Sequence, residues 1–166
     1  MRDIVLIVHD IRSTHNVGSL LRTADGFGVS HVYFSGYTPY PPLRDHDSRL
    51  PHIAQKLGRQ IAKTALGAEL TMPWSTVDDL EALFARLHDA DYTLAALEQA
   101  PTSVRLPDYQ PPEKIALLLG REVEGIDETL LTQVDDILEL PMFGSKESFN
   151  VTQATAAALY HLRFAK

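Results

Sequence analysis

The chain of 166 residues has no cysteine. Disulfides, thiolate zinc sites, iron–sulfur clusters and a cysteine nucleophile are therefore excluded. Long hydrophobic runs are also absent. The run Ile4–Val8 is too short for a signal-peptide core or a membrane span, so a soluble cytoplasmic protein with no membrane partner is expected. The familiar nucleotide and hydrolase signatures are missing as well. No G-x-G-x-x-G follows a strand, and neither G-x-x-x-x-G-K-[ST] nor G-x-S-x-G occurs. Histidines are present without ligand spacing. His9 and His15 flank one loop and His46 and His52 another, and no metal site is expected.

What remains is of ordinary globular composition, 45% hydrophobic and 22% charged, in a length that suits one domain. A single domain over residues 1–166, with no separate extension, is expected. The net charge of −7 argues against a polyanion partner, because phosphate contacts need Lys and Arg. The charge is unevenly spread, however. Residues 1–67 hold eight Lys/Arg against five Asp/Glu, a balance of +3, and residues 68–166 hold seven against seventeen, a balance of −10. Such asymmetry marks either a polyanion-binding face or ordinary surface scatter.

Continuous apolar runs alternate with helical periodicity. Strands are predicted at 4–9, 29–35, 70–74, 92–97, 114–119 and 137–140. Helices are predicted at 16–27, capped by Asn16, and over 49–66, 75–89, 127–134 and 150–163, with Pro-rich loops at 36–47 and 100–113. Strands that are apolar throughout, separated by helices, imply an α/β fold. Its sheet is mostly parallel, with helices on both faces.

Three segments carry more polar chemistry than scaffolding needs. The first, Asn16-Val-Gly-Ser-Leu-Leu-Arg22, opens a helix at the carboxyl end of the first strand, where open α/β sheets bind ligands. Gly18 permits close backbone approach, and Arg22 offers a planar fork to phosphate. The second, Leu119-Gly120-Arg121-Glu122-Val123-Glu124-Gly125-Ile126, leaves the most apolar strand as a glycine-bracketed loop. The third runs from Leu140-Pro141-Met142 through Ser148-Phe149-Asn150-Val151 into the last helix and holds two cap-competent residues, one surplus to capping. Each segment alone is equally compatible with plain caps and turns.

Together, the order N-x-G-x-x-x-R, L-G-x-E-x-x-G, P-M-x-G-x-x-x-S-x-N-V resembles the SpoU–TrmH family of the SPOUT superfamily, S-adenosylmethionine-dependent RNA 2′-O-ribose methyltransferases. Phe149 stands where Leu is usual, and Glu124 adds an acid to the second loop. The resemblance implies a C-terminal deep trefoil knot and a homodimer. It implies a site for S-adenosyl-L-methionine against Leu97, Gly120, Leu140 and Ser148. It also implies a catalytic set of Arg22, Asn16, Glu122, Ser148 and Asn150. In that reading Arg22 anchors a phosphate and polarises the ribose hydroxyl, while Asn16, Glu122 and Asn150 orient it. Arg12, Arg22, Arg44 and Arg49, with Arg59 nearby, are expected to face the RNA, a tRNA in preference to an rRNA. The Ala-rich face of the last helix (Ala154, Ala157, Ala158) allows close packing, either within the chain or against a second copy. Two rivals remain. One is a non-catalytic RNA-binding or assembly factor that keeps the fold, which would be expected to lose Arg22 or Glu122. The other is a transferase acting on small molecules, which would have no use for the basic half.

Overall fold

Strands that are apolar on both faces need cover on both sides. The computed structural model, which describes residues 1–122 and 124–165, supplies it around a seven-stranded sheet. The strands are β1 (Asp3–His9), β2 (His31–Ser35), β3 (Trp74–Val77), β4 (Thr93–Leu97), β5 (Val104–Arg105), β6 (Lys114–Leu119) and β7 (Asp136–Glu139). They lie in the order β3-β2-β1-β6-β4-β7-β5, with every neighbouring pair parallel. Side chains alternate across it. Ile4, Leu6, Val8, Leu117 and Leu119 enter one core, and Val5, Ile7, Ala116 and Leu118 enter the other.

The first core is covered by α1 (Thr14–Gly26), α2 (Pro51–Ala65) and α6 (Val151–Phe164). The second is covered by α4 (Leu80–Asp89) through Leu83, Phe84 and Leu87, with Leu130 and Leu131 of the short α5 (Glu128–Leu131) packed at its edge. The α/β expectation therefore holds, with a parallel sheet and helices on both faces.

Several predicted boundaries move, each for a local reason. The strand predicted at 70–74 is instead the single turn α3 (Ala68–Thr71), followed by β3. Parallel pairing of Trp74–Val77 with Val32–Ser35 overrides the helical periodicity read from Ser75 onward. The helix thus starts at Leu80, capped by Asp79, whose side chain accepts from the Ala82 amide at 2.9 Å. Helix α2 starts at Pro51, a residue pre-set for the first helical turn. The Pro-rich stretch 100–113 contains the two-residue β5 and a 3₁₀ turn at Leu106–Asp108. Among the described residues no helix is long and apolar enough to cross a membrane.

Close approach at Gly18 holds α1 against α2. A Cβ there would lie 2.2 Å from the Ile61 carbonyl oxygen and 2.9 Å from the Ala65 nitrogen. Because the obstacle is backbone, neither helix yields cheaply. Gly18→Ala is expected to destabilise the fold by about 1–3 kcal/mol through overpacking. Denaturant unfolding checks this, with a lowered midpoint as the expected result.

Candidate active site

Because all strands are parallel, the carboxyl ends of β4, β6 and β7 emerge side by side. Their loops, with the start of α6, enclose a pocket of about 280 Å3. Its apolar walls include Leu97, Leu119, Leu138, Leu140 and Val151, and Gly120, Ser148 and Phe149 are also in the lining. All four residues implied as the cofactor wall, Leu97, Gly120, Leu140 and Ser148, therefore meet in one cavity. Three carboxylates, Glu98, Glu122 and Glu147, stand at it beside one cation, Arg121. Arg121 is itself paired with Asp127. Phe149, the departure from the usual Leu, also lines the pocket.

The first motif is arranged differently from its sequence reading. Asn16 does not cap α1. Ser13 does, accepting from the Asn16 amide at 3.2 Å. The Asn16 side chain is thereby released, and its Nδ2 donates to Glu122 Oε1 at 3.0 Å. The backbone amides of Ser13 and Arg12 donate to the same carboxylate at 3.3 and 3.4 Å. Asn150 caps α6, accepting from the Thr152 amide at 2.9 Å, and its Nδ2 stands 3.5 Å from Asn16 Oδ1. Asn16, Glu122 and Asn150 thus form one polar chain that meets the pocket at Glu122. Val123 lies outside the described residues, and Glu124 approaches Arg12 to 3.9 Å.

Partial burial acts against the charge on Glu122. Hydrogen bonds from its own amide, Asn16, Ser13 and Arg12 outweigh that penalty and hold its pKa below the ordinary 4.5.

Arg22 is not in this chain. It lies six residues beyond Asn16, about 9 Å further along the helix and on another face. It lines a separate concavity with Ser19, Lys63 and Ala156. Arg12 is exposed, 5.7 Å above the Tyr37 ring, and Arg44 is exposed in the loop before α2. Arg49 departs from the RNA-facing expectation. Its guanidinium bonds Asp47, the Tyr40 carbonyl (2.9 Å) and the Pro41 carbonyl (3.1 Å), and lies 3.7 Å over the Tyr40 ring. Only 16% of its side chain is exposed. The Arg49 guanidinium holds the Asp47 carboxyl well below the usual carboxylate range. Arg49 builds the loop rather than offering a free fork. The alanines of α6 also diverge. Ala158 is core, Ala154 lines the pocket, and Ala157 is exposed.

Two neighbours of the pocket escaped the motif reading. Glu98 accepts from the Gln99 amide at 2.8 Å and the Ile126 amide at 3.0 Å, tying the loop after β4 to the loop after β6. Gln99 Nε2 donates to the Glu147 carbonyl at 2.9 Å, tying it to the third loop as well. The only sequence signal was their place at the carboxyl end of a buried strand. Asp10, in a left-handed conformation (φ 56°), accepts from the Tyr37 amide at 3.1 Å and joins the ends of β1 and β2.

The model of the SpoU rRNA Methylase family matches residues 3–160. The chain belongs to this family. A 23S rRNA (guanosine-2′-O-)-methyltransferase, RlmB, of Bordetella pertussis is 32% identical over 158 residues, covering 95% of this chain and 58% of that one. A tRNA (guanosine(18)-2′-O)-methyltransferase of Saccharomyces cerevisiae is 29% identical over 161 residues, 95% of this chain and 10% of that one. An AdoMet-bound rRNA methyltransferase from Sinorhizobium meliloti shares the fold with TM-score 0.77 at 21% identity, covering 97% of this chain and 56% of that one. This SpoU-family chain therefore spans a little over half the length of the bacterial relative.

The depressed Glu122 pKa gives a signed expectation. Its stabilising contribution is complete above pH 4.5 and fades as the pH falls through the lower folded value. Glu122→Gln should remove that acid-side share. Unfolding followed against pH should show a shallower acid limb for the variant than for the wild type.

Proposed function

We propose that this chain binds S-adenosyl-L-methionine in the pocket above β4, β6 and β7 and methylates a ribose 2′-hydroxyl of structured RNA. The pocket carries the reading. It joins an apolar slot to a rim of three carboxylates, and the donor joins an adenine ring to a cationic sulfonium and ammonium. Apolar walls suit the ring and the acids suit the positive end. Bound there, the donor supplies an electrophilic methyl group.

The chain's own residues handle the acceptor. A sugar hydroxyl is a weak acid, so developing oxyanion charge must be met. Arg22 anchors a phosphate in the concavity it shares with Lys63 and polarises the hydroxyl. It stays protonated in almost any surroundings, which suits an electrostatic role better than that of a base. The polar chain of Asn16, Glu122 and Asn150 orients the ribose between that anchor and the pocket, with Ser148 on the pocket side.

The same reading includes the trefoil knot and the homodimer. Supporting the knot, the chain after β7 enters the pocket wall before α6 packs back against α1 and β4. Supporting the dimer, Tyr160 and Phe164 of α6 form an exposed ring pair, centroids 5.0 Å apart. We place a transfer RNA ahead of ribosomal RNA as the substrate. The relatives named above act on one kind or the other. A non-catalytic assembly factor would have no need of both Arg22 and Glu122, and this chain has both.

Two variants separate the roles. Arg22→Ala should abolish methyl transfer to RNA while calorimetric binding of S-adenosylmethionine stays within about twofold, roughly 0.4 kcal/mol. Gly120→Val should do the reverse in binding. A Cβ at Gly120 would sit 2.4 Å from Ile126 and 2.9 Å from Gly125, so the pocket deforms and donor affinity falls by about tenfold or more. Full turnover by Arg22→Ala would refute its catalytic role. No donor binding by the wild type at millimolar concentration would sink the whole reading. Nucleoside analysis of treated transfer and ribosomal RNA then identifies the substrate.

A further inference from the structure

The described surface carries a further concavity, which shares no lining residue with the pocket above β4, β6 and β7 or with the concavity of Arg22. It is a groove of about 850 Å3 between the Pro41–Arg44 loop and α2 on one side and α3 and the sheet-edge strand β3 on the other. Pro42, Leu70, Met72 and Trp74 form its apolar lining, and Arg44 and Arg59 are its cations. Leu70 is 74% exposed, so its apolar surface is open to a ligand. The loop wall is preformed. Asp47 accepts from the Leu43 amide at 3.0 Å, and Arg49 bonds the Tyr40 and Pro41 carbonyls.

Charge decides what the groove can take. Between Asp47 and Glu69 the chain has no acid and four Lys/Arg. On α2, exposed Lys56, Arg59 and Lys63 recur at helical spacing along one ridge. Arg59 lines the groove, and Lys63 lines the concavity of Arg22. A line of cations therefore runs from Arg22 over α2 to Arg44. The one acid lining the groove, Glu69, is turned to the Gly67 amide at 2.9 Å.

We propose that this groove binds a single-stranded stretch of the substrate RNA. An unstacked base lies on the apolar floor at Trp74, and flanking phosphates lie on Arg44 and Arg59. An apolar and aromatic platform beside a cationic track is the chemistry that grips unpaired nucleotides without reading their sequence. The site would hold RNA outside the reacting nucleotide, on the path that leads to Arg22. This inference rests on the RNA methyltransferase reading and adds to it a place of substrate recognition.

Trp74 is the only tryptophan in the chain and so reports on the groove directly. A short oligouridine and a transfer RNA transcript are titrated at several salt concentrations. Trp74 emission is followed for the groove, anisotropy of labelled RNA for total binding, and calorimetry for S-adenosylmethionine. The variants are Arg44→Glu with Arg59→Glu, and Leu70→Asp, all exposed positions. The expected result is saturable quenching of Trp74 by RNA. In the double variant RNA affinity should fall by at least about tenfold and the salt slope by about two. Leu70→Asp should lose the quenching, and donor affinity should be unchanged in both. RNA that binds by anisotropy with no change at Trp74, and equally to the variants, would overturn the groove and leave the methyltransferase reading standing. Donor binding with no RNA binding by the wild type would overturn both.

Discussion

One carboxylate joins the parts of the candidate site. Glu122 leaves the end of the central strand β6 and receives the Arg12 and Ser13 amides and the Asn16 side chain. Those donors belong to the start of α1, where unpaired amides and the helix dipole favour an anion. The loop that helps wall the pocket and the helix that bears Arg22 are thereby set in one frame.

The sheet makes the arrangement possible. Parallel pairing of β1, β6, β4 and β7 sends every chain exit to one edge, so three loops far apart in sequence converge. Glu98 and Gln99 then tie the loop after β4 to the other two. The pocket is a product of this tying as much as of its apolar lining. Its acid rim and the cationic α2 ridge lie on different parts of the molecule. The net charge of −7 is a sum over the whole chain and describes neither.

Arg49 and Asn16 show how a side chain of the right type is diverted by its surroundings. Arg49 has the fork that phosphate prefers, but Asp47, two carbonyls and the Tyr40 ring occupy it. Asn16 has a capping side chain, but Ser13 stands three residues earlier and takes the cap. In the first case a free cation becomes a brace. In the second a brace becomes a free amide aimed at Glu122.

Much of the fold was legible in the chain because burial on both faces leaves an unmistakable record. The stretches 114–119 and 92–97 read as strands, and helical spacing located α1, α2 and α6 to within two residues and the end of α4. The pocket residues Leu97, Gly120, Leu140 and Ser148 were named through the family resemblance that the three motifs carry. Edge strand β3 and the turn before it were misread, because pairing with β2 is a non-local force that helical spacing does not register. Residue types and their order determined by themselves the layer plan, and the order of three motifs carried the resemblance that proposed the site residues. Only tertiary structure decided which donors were already taken, that Arg22 opens on a concavity of its own, and that Glu98 joins two loops. Hydrogen-bond partners drawn from distant segments depend on where folding brings them, and local pattern holds no record of that distance.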